Sequence, residues 1–275
     1  MSIIVLIIAS HNEVYNSFID LWREKIELWK STSLSENKME FQFFFVFADP
    51  TITENIICEN DTITYKGEES LEPGIFLKTM AAIRYCEEHF TYDSILRTNL
   101  SSFWNFSVLS DEIVVSKIMI GNIFMQYLDK NQLFINYRWA FFFEIIDAFF
   151  PSIGWDVFVF LDGAGFLLSR EMIRILLLDI SESYYSKLLL IPDDVAISIL
   201  LFYNIINKNV KNVEIRELLI EKKYICYKND IESPMNFGIG FIRNKQPWTM
   251  DVNRNIDIVN YKLQLDFFYK KIDGC

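Results

Sequence analysis

Residues 92–104 read YDSILRTNLSSFW. Tyr92 to Leu96 suit a strand in the middle of a sheet. The character then changes: Arg97, Thr98, Asn99, Ser101 and Ser102 precede Phe103 and Trp104. Polar side chains at the end of a core strand are costly unless something satisfies them. The cluster holds hydrogen-bond donors and no carboxylate. What those donors face decides how the fold closes and what the strand end can bind.

Upstream, Pro73 can open a helix that continues through GIFLKTMAAIRYCEEHF, residues 74–90. The chain starts with SIIVLIIA, residues 2–9, a continuous apolar run expected of a strand buried on both faces. The loop SHNE follows, and apolar residues at 14, 18, 21, 22, 26 and 29 have helical spacing. EFQFFFVFAD, residues 40–49, is a second buried strand ending at Asp49, and TITYKG, residues 62–67, a short third. Strands alternating with helices predict an α/β fold with a central, mainly parallel sheet flanked by helices.

Downstream the pattern is more mixed. Residues 113–128 and 133–146 suit strands or strand–helix mixtures. Residues 156–180, DVFVFLDGAGFLLSREMIRILLLDI, predict strand, glycine turn and helix, with Ser169 placed to cap the helix. Residues 191–208, IPDDVAISILLFYNIINK, predict a helix entered through Pro192 and two aspartates, and residues 237–248, FGIGFIRNKQPW, a loop. No repeat, linker or low-complexity segment interrupts the chain, so one domain is expected over 1–275. In open α/β sheets, ligands bind beyond the carboxyl ends of the strands. SHNE, Asp49 and RTNLSS all fall at such ends.

The 275 residues are 51% apolar and include 25 Phe, enough for a thick core. With 26 Lys and Arg against 37 Asp and Glu, the formal charge is -11, which argues against nucleic acid as a partner. Cys58, Cys86, Cys226 and Cys275 have no paired metal spacing, and two histidines make a zinc site improbable. Four scattered thiols suit a reducing compartment. The first apolar run lacks a positive leader and a cleavage site, and is too short to cross a bilayer. The second, WAFFFEIIDAFF, is broken by Glu144 and Asp147. A cytoplasmic protein is expected.

Four segments in order resemble the fringe-like and β-1,3-galactosyltransferase-like glycosyltransferases. FLKTMAAIRYCEEHFTYDSILRTNLSSFW, residues 76–104, is similar to their helix–strand unit, in which a Leu-Lys-Thr helix precedes a strand ending in an Asp triplet. FLDGAGFLLSR, residues 160–170, resembles their glycine-rich acceptor turn, and IPDDVAIS, residues 191–198, their acidic helix entrance. The strand–loop–helix start suits their GT-A nucleotide-sugar fold. The resemblance implies a nucleotide-sugar-binding half, 1–104, and an acceptor-binding half, 105–275. It also implies transfer of a sugar from a nucleotide-diphosphate donor, most simply a UDP-sugar, to a carbohydrate hydroxyl with inversion.

The departures are equally informative. The family's triplet falls on Asn99, Leu100 and Ser101, which are neutral and would hold a divalent cation weakly at most. Where the family tends to place a metal-binding histidine near the C-terminus, this chain has Arg243 and Lys245. Fixed cations can neutralise a departing diphosphate as a metal does. A metal-independent enzyme without a cofactor is therefore expected, with Asn99 and Ser101 as neutral donors to phosphate or ribose. The alternatives are a turn closed by Asn99 and Ser101, and a catalytically inactive glycan- or protein-binding module.

The resemblance gives Asp194 the role of base and Asp193 that of cap or orienter; both acids could instead serve the helix N-terminus. Ser10, His11, Asn12 and Asp49 are candidates to line the nucleotide pocket. Lys78, on the family's helix lysine, is a candidate for the donor phosphates; a solvated helix lysine is the alternative. Arg97 could add positive charge there or pair with Asp93. Gly163, Ala164 and Gly165 could admit a sugar close to the backbone, and Trp155 and Phe166 could stack on it; a tight turn and core packing are the alternatives.

Overall fold

The computed structural model describes residues 1–33, 39–115, 125–129, 144–152, 157–210, 221–226, 239–245 and 254–270. Strand β1 (Ser2–Ile8) leads through the Ser10–Asn12 loop into α1 (Glu13–Ser33) and back to β2 (Glu40–Ala48). The short hairpin β3 (Ile56–Glu59) and β4 (Thr62–Tyr65) follows, then α2 (Gly74–His89) and β5 (Ser94–Asn99). The next elements are β6 (Ser102–Trp104), α3 (Phe106–Val115), β7 (Met125–Asp129), α4 (144–149), β8 (Val157–Leu161) and β9 (Gly165–Ser169). Helices α5 (Arg170–Leu176), α6 (Glu182–Leu188) and α7 (Asp193–Asn207) follow. Strands β10 (Glu221–Cys226) and β11 (Ile239–Lys245), α8 (Asn255–Leu265) and a π-helical turn (Asp266–Lys270) complete the described chain.

The central sheet has six strands in the order β3-β4-β2-β1-β5-β9. The β1–β2, β1–β5 and β2–β4 pairings are parallel, so the mainly parallel α/β fold expected from the sequence is the one observed. β9 runs antiparallel to β5 and closes one edge. β6 lies in a second sheet of order β10-β11-β6, and β7 pairs with β8.

Because side chains alternate along a strand, each central strand feeds two cores. Ile4, Leu6 and Ile8 of β1 join Phe44 and Val46 on one face, under Phe76 and Ile83 of α2, Met172 of α5 and Val195 and Ile199 of α7. Ile3, Val5 and Ile7 join Phe43 and Phe45 on the other, under Phe18, Trp22 and Ile26 of α1, Phe106 of α3 and Tyr261 of α8. The second core also encloses Lys25, which is 0% exposed. Its Nζ lies 4.1 Å from the Trp22 ring centroid and 4.3 Å from those of Phe103 and Phe106. Among the described residues the ammonium has no hydrogen-bond partner. Burial therefore pushes the Lys25 pKa well below the ordinary lysine value.

Two expectations are corrected here. The glycine turn at 162–164 leads into strand β9, and helix α5 begins only after it. Gly165–Ser169 add an antiparallel edge to β5, where their backbone groups find partners that a helix start would have left unpaired. Ser169 does cap α5, accepting the Met172 N–H at 3.3 Å. Part of the predicted C-terminal loop is strand β11, because Ile239–Lys245 pair in parallel with β10 and antiparallel with β6. Residues 133–143 lie outside the described residues.

Candidate functional site

The carboxyl ends of β2, β1 and β5 lie side by side: Ile8 is in register with Val46 on one side and Asn99 on the other. The turn between β8 and β9 and the N-terminus of α7 come to the β5 end of this edge. The donors of the 97–102 cluster face the carbonyl oxygens of that turn. Gly163 O accepts from Arg97 Nη1 and, at 2.6 Å, from Asn99 Nδ2. Ala164 O accepts from Ser102 Oγ at 2.8 Å and Thr98 Oγ1 at 3.2 Å, and Trp104 Nε1 donates to Thr98 Oγ1 at 2.8 Å. Asp162 folds the turn back on itself, its Oδ1 taking the Ala164 N–H at 2.8 Å. Carbonyls need donors opposite them, and a carboxylate has none to offer. This is a direct physical reason for the missing carboxylate at position 99.

The acids at the start of α7 divide. Asp193 Oδ2 pairs with Arg97 Nη2 at 2.6 Å, and Arg97 is 1% exposed. Asp194 accepts the Gly163 N–H on Oδ2 at 3.0 Å and the Val195 N–H on Oδ1 at 2.9 Å. Burial, and then the charge of Asp193, raise the Asp194 pKa to about 7, against the opposing pull of Arg97. Gly163 is required for this approach, since a Cβ there would stand 2.8 Å from Asp194 Oδ2. Behind the acids, Ser198 Oγ donates to Asp194 O at 2.6 Å and accepts the Leu161 N–H at 2.8 Å, tying α7 to β8. A half-buried carboxylate near neutrality, with a partly open glycine beside it, is equipped to accept a proton from a hydroxyl.

Other candidates are used differently. Lys78 is buried, and its Nζ donates to Ala9 O at 2.6 Å and to Glu69 Oε1 at 2.5 Å. Burial lowers its pKa, which Glu69 partly offsets. Its ammonium thus joins β1 to the segment before α2, in place of the expected phosphate contact. Arg97 pairs with Asp193 and not with Asp93, whose carboxylate takes the Ser2 N–H at 2.7 Å at the opposite end of β5. Ala164, Gly165 and Phe166 are buried, with the Arg97 guanidinium 5.8 Å from the Phe166 ring centroid. They form the floor of the turn, and Gly163 is its partly open residue. Trp155 lies outside the described residues.

Ser10, His11, Asn12 and Asp49 stand at the β1 and β2 ends. Asn12 O begins α1 by accepting the Asn16 N–H at 3.0 Å, and Ser10 O accepts the Asn12 N–H at 3.0 Å. The exposed His11 ring stacks on Phe47 with centroids 4.4 Å apart. Asp49 Oδ1 accepts from Thr51 Oγ1 at 2.6 Å and Thr51 N at 2.8 Å, which holds its pKa below the ordinary carboxylate value. Ser101 is buried, and its carbonyl accepts the Asn244 N–H at 3.1 Å. That bond brings the β11 backbone to the 99–101 corner, with Arg243 in register opposite Ser102 and Lys245 at the strand end.

A divalent metal does not fit residues 99–101. The Asn99 amide nitrogen is turned onto Gly163 O, Leu100 is core and Ser101 is a buried neutral hydroxyl. The Arg97–Asp193 pair and Lys78–Glu69 pair escaped the sequence, because their partners lie 96 and 9 residues away. The one available signal was Arg97 inside an otherwise core-forming strand.

No known family model and no curated protein matches the sequence. Among solved structures, the chain is similar to a glycosyltransferase involved in the glycosylation of the major capsid of PBCV-1. The identity is 7% and the TM-score 0.41, over 96% of this chain and 100% of that one. Among the described residues no helix is long and apolar enough to cross a membrane.

Proposed function

We propose that this protein is an inverting, metal-independent glycosyltransferase that uses Asp194 as its base. The observation that carries the proposal is the placement of the Asp194 carboxylate, next to Asp193 and against the partly open Gly163, at the carboxyl edge of a parallel sheet, where burial raises its pKa. Asp194 takes the proton of an acceptor hydroxyl. The freed oxygen forms a bond to the anomeric carbon, and the bond from that carbon to the diphosphate breaks with its electron pair leaving on the phosphate oxygen. Entry opposite the leaving group inverts the carbon. Since Lys78 and Arg97 are committed to other partners, the diphosphate charge falls to Arg243 and Lys245 on β11. His11, stacked on Phe47, and Asp49 are the groups assigned to the nucleotide of a UDP-type donor.

The test is transfer or donor hydrolysis across a panel of nucleotide sugars, in chelator and then with added Mn²⁺. Activity in chelator that falls at least about 100-fold in Asp194→Asn is expected. Nucleotide binding without turnover would favour a binding module. Activity only with Mn²⁺ would remove the metal-independent mechanism.

A further inference from the structure

Resting on that role for Asp194, we infer that Arg97 and Asn99 are positioning residues, which decide which of the two adjacent acids takes the proton and where it stands. Side by side at a helix N-terminus, two carboxylates that sense only each other would share a proton and exchange roles. Arg97 removes that symmetry. Its Nη2 pairs with Asp193 at 2.6 Å, while Nη1 holds the Gly163 carbonyl. Gly163 in turn gives its N–H to Asp194 at 3.0 Å. One guanidinium therefore pairs with Asp193 and fixes the residue that addresses Asp194. Asn99 Nδ2 is the second hand on the same carbonyl, at 2.6 Å.

The other charged groups around the acids leave this arrangement intact. Asp162, in the turn, is tied to the Ala164 N–H, and Lys78, on α2, to Glu69 and Ala9 O. Lys78 senses Arg97 and Asp193, but its own ammonium is held by the carboxylate of Glu69. Arg97 Nε is buried without a partner among the described residues. A buried ion pair with an idle donor is a poor device for stability. Its service is to the chemistry at Asp194.

The arrangement makes a signed prediction that a purely structural role would not. Removing the cation in Arg97→Met displaces the acid limb of the pH–rate profile upward by roughly one unit or more, about tenfold in rate below the limb. Removing the neighbouring anion in Asp193→Asn displaces it downward, because Arg97 then acts on Asp194 alone. Arg97→Lys lies between wild type and Arg97→Met. Asn99→Ala leaves the limb in place and lowers kcat with little change in donor KM. Titration of ¹³C-labelled aspartate carboxyl carbons by NMR, with the Asp194 signal assigned by its loss in Asp194→Asn, reads the same displacements without turnover. Opposite displacements in NMR support the inference even if no nucleotide sugar is turned over, a result that would sink the glycosyltransferase reading alone. Transfer activity with equal or absent displacements overturns the inference and leaves that reading standing. If Arg97→Met does not fold, Asp193→Asn against Arg97→Lys must show the same opposition in sign, or the inference fails.

Discussion

Two of the buried cations among the described residues, Arg97 and Lys25, are held by opposite means. On one face of the central sheet, Arg97 meets a carboxylate and a carbonyl at the ends of elements far apart in the chain. On the other face, Lys25 meets only aromatic rings and finds no hydrogen-bond partner among the described residues. A guanidinium is planar, weakly hydrated and always charged, so it can be buried if its fork is matched. An ammonium sheds its proton instead of bearing such burial, and rings repay only part of its hydration. The paired cation organises a candidate site. The caged one costs stability, and burial holds its pKa below the ordinary lysine value.

The largest break in that comparison is at the paired cation. Arg97→Met strands the Asp193 charge, and urea unfolding should show a loss of about 3–5 kcal/mol. Adding Asp193→Leu should recover most of it, because both charges are then gone. The turn beneath is next: Gly165→Ala drives a Cβ into the Trp104 ring and against Arg97 O, and should cost about 1–3 kcal/mol in the same assay. At the caged cation the sign reverses. Lys25→Met should raise stability by about 1–3 kcal/mol, since an unpartnered polar group leaves the core.

The two regions also differ in their dependence on pH. The folded Lys25 pKa lies below its unfolded value of about 10.4, so the unfolded chain binds the proton more tightly. Stability is therefore lost as pH falls from there toward the folded pKa, and the advantage of Lys25→Met should grow over that descent in thermal melts. Asp194 behaves oppositely: its folded pKa of about 7 is above the unfolded one, so the folded state holds the proton more tightly. Relative to Asp194→Asn, the wild type should lose stability as pH rises from about 4 to about 7. The smallest effect is expected at Asn99→Asp, which sets an acceptor against Gly163 O and should cost about 1–2 kcal/mol. A gain there, with Mn²⁺-dependent stabilisation, would restore a metal to the corner.

Much of the frame was legible. The continuous apolar runs at residues 3–9 and 43–48 suit strands buried on two faces, as in a parallel sheet covered by helices. The spacing of Phe18, Trp22, Ile26 and Trp29 marked the buried face of α1, though not the lysine enclosed with it. Pro192 and the acid pair marked the start of α7. At the site, Asp194 and Gly163 were visible as residue types, while their adjacency was not. β9 was hidden because its apolar run suits a helix as well as a strand until β5 offers an edge.

Local pattern thus determined the α/β class, the boundaries of the main helices and the polar ends of the strands, since periodicity and capping act over a few residues. Tertiary structure alone decided that Arg97 faces Asp193, that Asn99 holds a carbonyl, and that Lys25 sits among rings. Each of those outcomes depends on which distant group fills the space opposite, and the energy of a buried charge is set by that group.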